Sequence, residues 1–98
     1  MATFITTLHF TEQGIKAVQD TCARATAFKA AAKKMGVKVT AQYWTLGAFD
    51  GVIVCEAPDE EALTAALLHL GSAGNLRTQT VRAFGAAEMQ NILGLLPK

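Results

Sequence analysis

Two kinds of hydrophobic spacing alternate along this chain, and their order limits the possible folds more than any other feature of the sequence. Residues 3–10 are mostly apolar or β-branched and contain no Gly or Pro, which is typical of a strand. Over residues 12–35 apolar side chains recur at three- and four-residue spacing until Gly36, which predicts an amphipathic helix. Because Gly14 and the pair Asp20-Thr21 interrupt this pattern, a short helix followed by a longer one from near Thr21 fits nearly as well.

The second half of the pattern predicts two strands joined by a tight turn, then a helix, a fourth strand and a short final helix. Residues 37–45 and 49–56 alternate with a period of two on either side of Gly47. Residues 57–61 are typical of a helix start, residues 76–84 alternate again, and the apolar spacing from Met89 to Leu96 predicts the last helix. This βαββαβ order with a C-terminal helix is that of a ferredoxin-like α+β fold with a four-stranded antiparallel sheet.

In that fold the first and third strands are central, the second and fourth are edges, and both main helices cover one face. The other face is left uncovered. Alternation places on it Thr3, Ile5, Thr7 and His9, then Lys38, Thr40, Gln42 and Trp44, and then Asp50, Val52, Val54 and Glu56. This face carries too much apolar area to be left in water, so we expect a sheet-to-sheet homodimer or a higher homo-oligomer.

Composition supports a single domain over residues 1–98, because a chain of this length has room for only one core. Only 17% of the residues are charged while 51% are hydrophobic, so part of the surface is expected to contact another subunit. The net charge of +1 is spread along the chain. The strands also lack the exposed aromatic pairs and basic motif of an RNA-recognition domain, so nucleic acid is not an expected partner.

Neither a targeting leader nor a membrane-spanning run is recognisable, so we expect a cytoplasmic protein without membrane contact. Cys22 and Cys55 have no C-x-x-C spacing, and we expect both thiols to be reduced and packed. The His residues, Cys55 and Glu56 show no metal-ligand spacing. The sequence therefore predicts no metal and no cofactor.

Polar and aromatic residues are expected to meet at the rim of the sheet where the first two strands end and the last two begin. His9 and Asp50 are candidates for an acid/base pair there, with the carboxylate orienting the imidazole. Candidates for holding a ligand are Thr7, Tyr43, Trp44, Asn75 and Arg77. Tyr43 and Trp44 are adjacent on one strand, so they are expected to point to opposite faces.

Each candidate also has a structural interpretation. His9 fits a strand-end histidine bonded to a loop, and Asp50 fits an acid that caps backbone amides after a hairpin. Aromatic residues on half-buried strands usually belong to a core or an interface. Arg77 suits the binding of a carboxylate or phosphate, although an Arg at a strand start more often makes a rim ion pair.

Several sequence blocks, in order and over nearly the whole chain, resemble the GYD-domain family of small proteins. These are residues 10–15 (FTEQGI), 43–47 (YWTLG), 56–59 (EAPD), 71–78 (GSAGNLRT) and 82–84 (RAF). Phe49 stands where the family has its namesake tyrosine, while Gly47 and Asp50 match. The resemblance implies a ferredoxin-like fold of the dimeric α/β barrel type and implies no particular reaction.

Three functional hypotheses follow from these observations. The first is a small homo-oligomeric protein that binds a small, partly apolar ligand at the uncovered sheet face or its rim. The second, by analogy of fold, is a cofactor-independent oxygenase or isomerase with His9 and Asp50 as its acid/base pair. The third is a structural or regulatory subunit that recruits other proteins.

Overall fold

The computed structural model describes residues 1–97, and its four strands form one antiparallel sheet. The strands are β1 (Ala2–Phe10), β2 (Lys38–Trp44), β3 (Gly51–Ala57) and β4 (Leu76–Ala83). Their order across the sheet is β2-β3-β1-β4, so β1 and β3 are central and the other two are edges. The predicted ferredoxin-like α+β fold is therefore confirmed.

The first helical region is divided, as the second of its two sequence interpretations predicts. It consists of α1 (Glu12–Lys16), a 3-10 turn (Val18–Asp20) and α2 (Thr21–Lys34), and the later helices are α3 (Glu60–Ser72) and α4 (Ala86–Leu93). Side chains cap two helix starts. The Thr11 hydroxyl accepts a hydrogen bond from the Gly14 amide at 3.0 Å, and the Asp59 carboxylate accepts one from the Ala62 amide at 2.8 Å.

The core lies between one face of the sheet and helices α2 and α3. Its buried side chains are Phe4, Leu8, Phe28, Ala32, Val37, Ile53, Cys55, Ala57, Leu63 and Ala66. Thr6 is a buried polar residue, and its hydroxyl is hydrogen-bonded to that of Thr80 at 2.8 Å. No helix of residues 1–97 packs closely on the opposite face, which we call the bare face.

A β-bulge at Thr40 interrupts the alternation of β2. Val39 pairs with Cys55 and Ala41 pairs with Val54, so two neighbouring residues of β3 face three residues of β2. A bulge of this kind reverses which side chains face each side of the sheet along the rest of the strand.

The bulge makes one prediction wrong: Gln42 and Trp44 do not lie on the bare face. Gln42 pairs with Ile53, a core residue, and therefore faces the helices. Tyr43 pairs with Val52 and takes the bare-face position instead. Tyr43 and Trp44 do point to opposite faces, as predicted.

The two cysteines differ in burial. Cys55 is completely buried in the core, whereas Cys22 is exposed on α2. The expectation that both thiols are packed is therefore wrong for Cys22. Helix α2 buries Phe28 and Ala32 against the core, and Cys22 is not among its buried residues.

Helix α4 lies outside the packed body. None of its side chains is buried, and its apolar Met89 and Leu93 are exposed. The radius of gyration is 15.0 Å and the longest dimension is 54 Å, whereas a compact domain of this length has a radius of about 13 Å. No helix of residues 1–97 is long and apolar enough to cross a membrane.

Candidate functional site

The loop that precedes β4 packs on the start of α1. The Thr11 amide donates to the Asn75 carbonyl at 3.1 Å, and the Thr11 hydroxyl donates to the Gly74 carbonyl at 2.5 Å. The Gln13 side chain donates to the Asn75 side-chain oxygen at 3.0 Å. The predicted ligand residue Asn75 therefore already has a structural partner at the rim.

Asp50 also has a structural partner. Its carboxylate accepts a hydrogen bond from the Phe10 amide at 2.9 Å, and its own amide donates to the Leu8 carbonyl at 2.8 Å. These two bonds hold the start of β3 against the end of β1. The arrangement matches the structural interpretation of Asp50 as an acid that caps a backbone amide.

His9 and Asp50 are close in the chain topology, yet no hydrogen bond joins their side chains within residues 1–97. The His9 ring instead makes an edge-on contact with Phe49, with ring centroids 6.4 Å apart. Phe49 is half-buried, and its carbonyl accepts a hydrogen bond from the Thr45 hydroxyl at 2.6 Å. The residue in place of the family tyrosine thus supports the hairpin and the His9 ring.

The structure divides the predicted ligand residues between the two sides of the sheet. Thr7, His9, Tyr43 and Arg77 share the bare face, and Arg77 is paired directly with His9 across β1 and β4. Trp44 lies on the helix side, where its indole nitrogen donates to the Thr21 hydroxyl at 3.0 Å. No single pocket therefore contains the whole predicted set.

A cavity of about 200 Å³ lies on the helix side, between α2, α3 and the sheet. Its wall is mainly apolar and includes Leu8, Ala25, Ala27, Phe28, Ile53, Leu70, Ala73 and Leu76. Five polar residues also line it: Thr21, Arg24, Gln42, His69 and Asn75. Small, apolar-walled cavities with a few polar groups are the usual form of a small-molecule site.

Two of these polar residues are incompletely paired. The side-chain oxygen Oε1 of Gln42 is buried without a hydrogen-bond partner in residues 1–97, a condition that costs about 1–3 kcal/mol. The Arg24 guanidinium donates to the Ala17 carbonyl at 2.8 Å and to the Gly14 carbonyl at 3.4 Å. Neither ion pair formed within residues 1–97 includes Arg24.

Sequence reasoning did not identify this cavity or the roles of Arg24 and Gln42. One signal for the cavity is present in α2, where Ala25 and Ala27 occupy positions at which larger apolar side chains would fill the space. The position of Gln42 depends on the bulge at Thr40, and no sequence pattern in the strand predicts that bulge.

A comparison with protein families decides the family of this chain. The model of the GYD domain matches residues 4–93. The chain belongs to the GYD domain family. The resemblance inferred from the sequence blocks is therefore confirmed, and it covers nearly the whole chain.

A relative of this GYD protein is the glutamine synthetase and cystathionine beta-lyase binding protein of Thermus thermophilus. The two are 42% identical over 57 residues, which are 58% of this chain and 60% of that protein. This chain thus matches less than two thirds of the relative.

Solved structures with the same fold include regulatory proteins. A feast or famine regulatory protein from M. tuberculosis, complexed with L-methionine, superposes with a TM-score of 0.68 and 15% identity, over 88% of this chain and 52% of that one. An ACT domain protein from Streptococcus pneumoniae gives a TM-score of 0.50 and 16% identity, over 85% of this chain and 90% of that one. At these identities the likeness establishes the fold alone.

Proposed function

We propose that this GYD protein is a homo-oligomeric binding protein whose subunits pair through their bare sheet faces and which binds a small, partly apolar ligand. The observation that carries the proposal is the apolar row across the bare face, formed by Val81, Ile5, Val54 and Ala41. Val81 is 62% exposed in the single chain. Contiguous apolar area of this kind on a small protein usually marks an interface.

A two-fold pairing of bare faces suits this surface. Two sheets packed face to face lie about 10 Å apart and bury the side chains between them. In a two-fold dimer the same patch is used by both subunits. Tyr43, which is 64% exposed, adds a large aromatic side chain to that patch.

The polar residues of the bare face suit a ligand at its rim. Thr7, Tyr43, His9 and Arg77 lie on this face, and the last two are opposite each other across neighbouring strands. An imidazole beside a guanidinium supplies several hydrogen-bond donors, so this end of the face favours a ligand with acceptor atoms.

The oligomer is tested by sedimentation equilibrium of the wild type and of Val81→Asp at micromolar concentration. We expect a wild-type dimer or larger assembly and a monomeric variant, because each Asp introduces an unpaired charge into the interface. Thr64→Asp on the exposed side of α3 is the matched control and should leave the assembly unchanged. A monomeric wild type contradicts the proposal.

Ligand binding is tested by native mass spectrometry of the assembly as purified from cells, with the activation energy raised in steps. We expect a discrete additional mass on the intact assembly that is released before the subunits separate. An assembly without additional mass contradicts the ligand part of the proposal and leaves the oligomer part standing.

The relative from Thermus thermophilus favours a second candidate function, the binding of metabolic enzymes. Its name describes binding to glutamine synthetase and cystathionine beta-lyase, and 58% of this chain matches it at 42% identity. Titrating this protein into each purified enzyme, followed by calorimetry, tests the transfer of that role. The proposal is supported if either enzyme gives heat of binding and an unrelated enzyme of similar size gives none. It is contradicted if neither enzyme gives heat of binding.

A further inference from the structure

We propose that the cavity between α2, α3 and the sheet binds a small carboxylic acid that has an apolar body. Three features carry this proposal: the size of the cavity, its mainly apolar wall, and a lining cation without a counter-ion. The site lies on the other side of the sheet from the bare face, so it does not depend on the dimer proposed above.

The size and wall of the cavity fit a body the size of a phenyl ring. The cavity measures about 200 Å³, and an apolar cavity of about 150 Å³ is large enough to bind benzene. Leu8 and Ile53 line it from the sheet, Phe28 from α2 and Leu70 from α3. Burial of an apolar ligand body against these side chains supplies the main favourable term.

Arg24 selects a carboxylate. Its guanidinium has five N–H donors, and its two recorded hydrogen bonds go to neutral backbone carbonyls, those of Ala17 and Gly14. The protein supplies no carboxylate to Arg24 within residues 1–97. A carboxylate is the anion whose geometry a guanidinium matches with paired hydrogen bonds.

Two probes separate these contributions when titrated into isotope-labelled protein and followed by NMR. Phenylacetate carries the phenyl body and the carboxylate, and benzyl alcohol lacks the carboxylate. We expect phenylacetate to shift the amide signals of Arg24, Phe28 and Gln42 and to bind about tenfold more tightly than benzyl alcohol, a difference of one hydrogen bond to a charged group.

Variants assign the carboxylate preference to a residue. Arg24→Met should bind phenylacetate and benzyl alcohol equally. Lys34→Met, which removes an exposed cation from the last turn of the same helix, is the matched control and should leave both affinities unchanged. Ala25→Leu, which fills the cavity, should abolish binding of every probe.

Several outcomes overturn the proposal. These are the absence of phenylacetate shifts at millimolar concentration, as expected of a cavity that holds only water, shifts confined to the bare face, and an unchanged carboxylate preference in folded Arg24→Met. If a variant does not fold, the ranking of the two probes on the wild type decides alone. A monomer that still binds phenylacetate in the cavity contradicts only the dimer proposed above.

Discussion

At the scale of single residues, Gly14 has no room for a side chain. A Cβ atom added there would lie 2.0 Å from the carbonyl oxygen of Asn75. We expect Gly14→Ala to lower the free energy of unfolding by about 1–3 kcal/mol, the usual cost of overpacking, measured by urea denaturation. Gly71→Ala is the matched control, because nothing lies within 4 Å of its added Cβ. Ala is the better helix former, so the control should be neutral or stabilising.

The two cysteines are expected to differ in reactivity. Burial raises the pKa of the Cys55 thiol to about 11, and the thiolate is the form that reacts. Cys22 is exposed. Iodoacetamide at pH 8 should therefore modify one thiol per native chain and two per unfolded chain, as counted by mass spectrometry of the intact protein and assigned by peptide mapping. Rapid modification of Cys55 in the native chain contradicts this prediction.

The raised pKa of Cys55 also links stability to pH. The thiol is neutral in the folded state and ionises more easily when unfolded, so its contribution to stability is complete below its ordinary value of 9.0 and is lost as pH rises toward 11. Cys55→Ala should remove this dependence at the cost of packing in the core. Urea denaturation between pH 8 and pH 11 measures how steeply the free energy of unfolding changes with pH in the wild type and in the variant.

At the scale of the elements, the sequence predicted which helices and strands form better than it predicted which way their side chains face. The alternation of residues 37–45 was sufficient to identify β2, because its composition favours a strand whichever face is buried. The bulge at Thr40 then moved Gln42 and Trp44 to the helix side. A single extra residue has this effect because side chains alternate with a period of two.

The candidate site was less predictable than the fold, for a related reason. His9, Thr7 and Arg77 lie where alternation or topology placed them, since β1 and β4 pair without a bulge. The cavity lies between α2, α3 and the sheet, and its lining residues, such as Leu8, Ala25 and Leu70, are distant from one another in the sequence. Local sequence patterns carry no information about how such residues come together.

The start of α4 is expected to respond to pH. Glu88 accepts hydrogen bonds from Arg82 Nη2 at 3.0 Å and from the Gly85 amide at 3.2 Å, and these contacts lower the pKa of its carboxyl, the Arg82 bond most. The contribution of Glu88 is therefore present above its unfolded pKa and lost as pH falls through its lower folded value. The protection of residues 86–93 against amide exchange, corrected for the intrinsic rate, should therefore fall below pH 4.5.

Glu88→Gln is the control for that prediction. It keeps the side-chain shape and cannot titrate, so its exchange in α4 should be faster at neutral pH and nearly independent of pH after correction for the intrinsic rate. The Arg82 guanidinium, which also lies over the rings of Phe4 and Phe84 at 5.5 Å and 4.6 Å, should hold the end of β4 in both proteins. Equal pH dependence in the wild type and the variant contradicts a role for Glu88.

At the scale of the whole molecule, the sheet separates two surfaces of different composition. Its helix side contains the core and the cavity, while its bare face presents apolar side chains with a polar end at His9 and Arg77. A ligand in the cavity and a second subunit on the bare face would contact opposite sides of β1 and β3.

The extension of α4 away from the body leads to the last prediction, which concerns the proposed dimer. Met89 and Leu93 are one helical turn apart and are both 46% exposed in the single chain, so they form one apolar side of α4. If this side covers the second subunit, the double substitution Met89→Ser with Leu93→Ser should raise the dissociation constant of the dimer at least about tenfold, since burying each such side chain is worth about 1.5–3 kcal/mol. The melting temperature of the body should change little, because no residue of α4 is buried in its core.

Sedimentation equilibrium measures the effect on the dissociation constant. The double substitution Gln90→Ser with Asn91→Ser on the same helix is the matched control. Equal dissociation constants for the two double variants would show that α4 takes no part in the assembly.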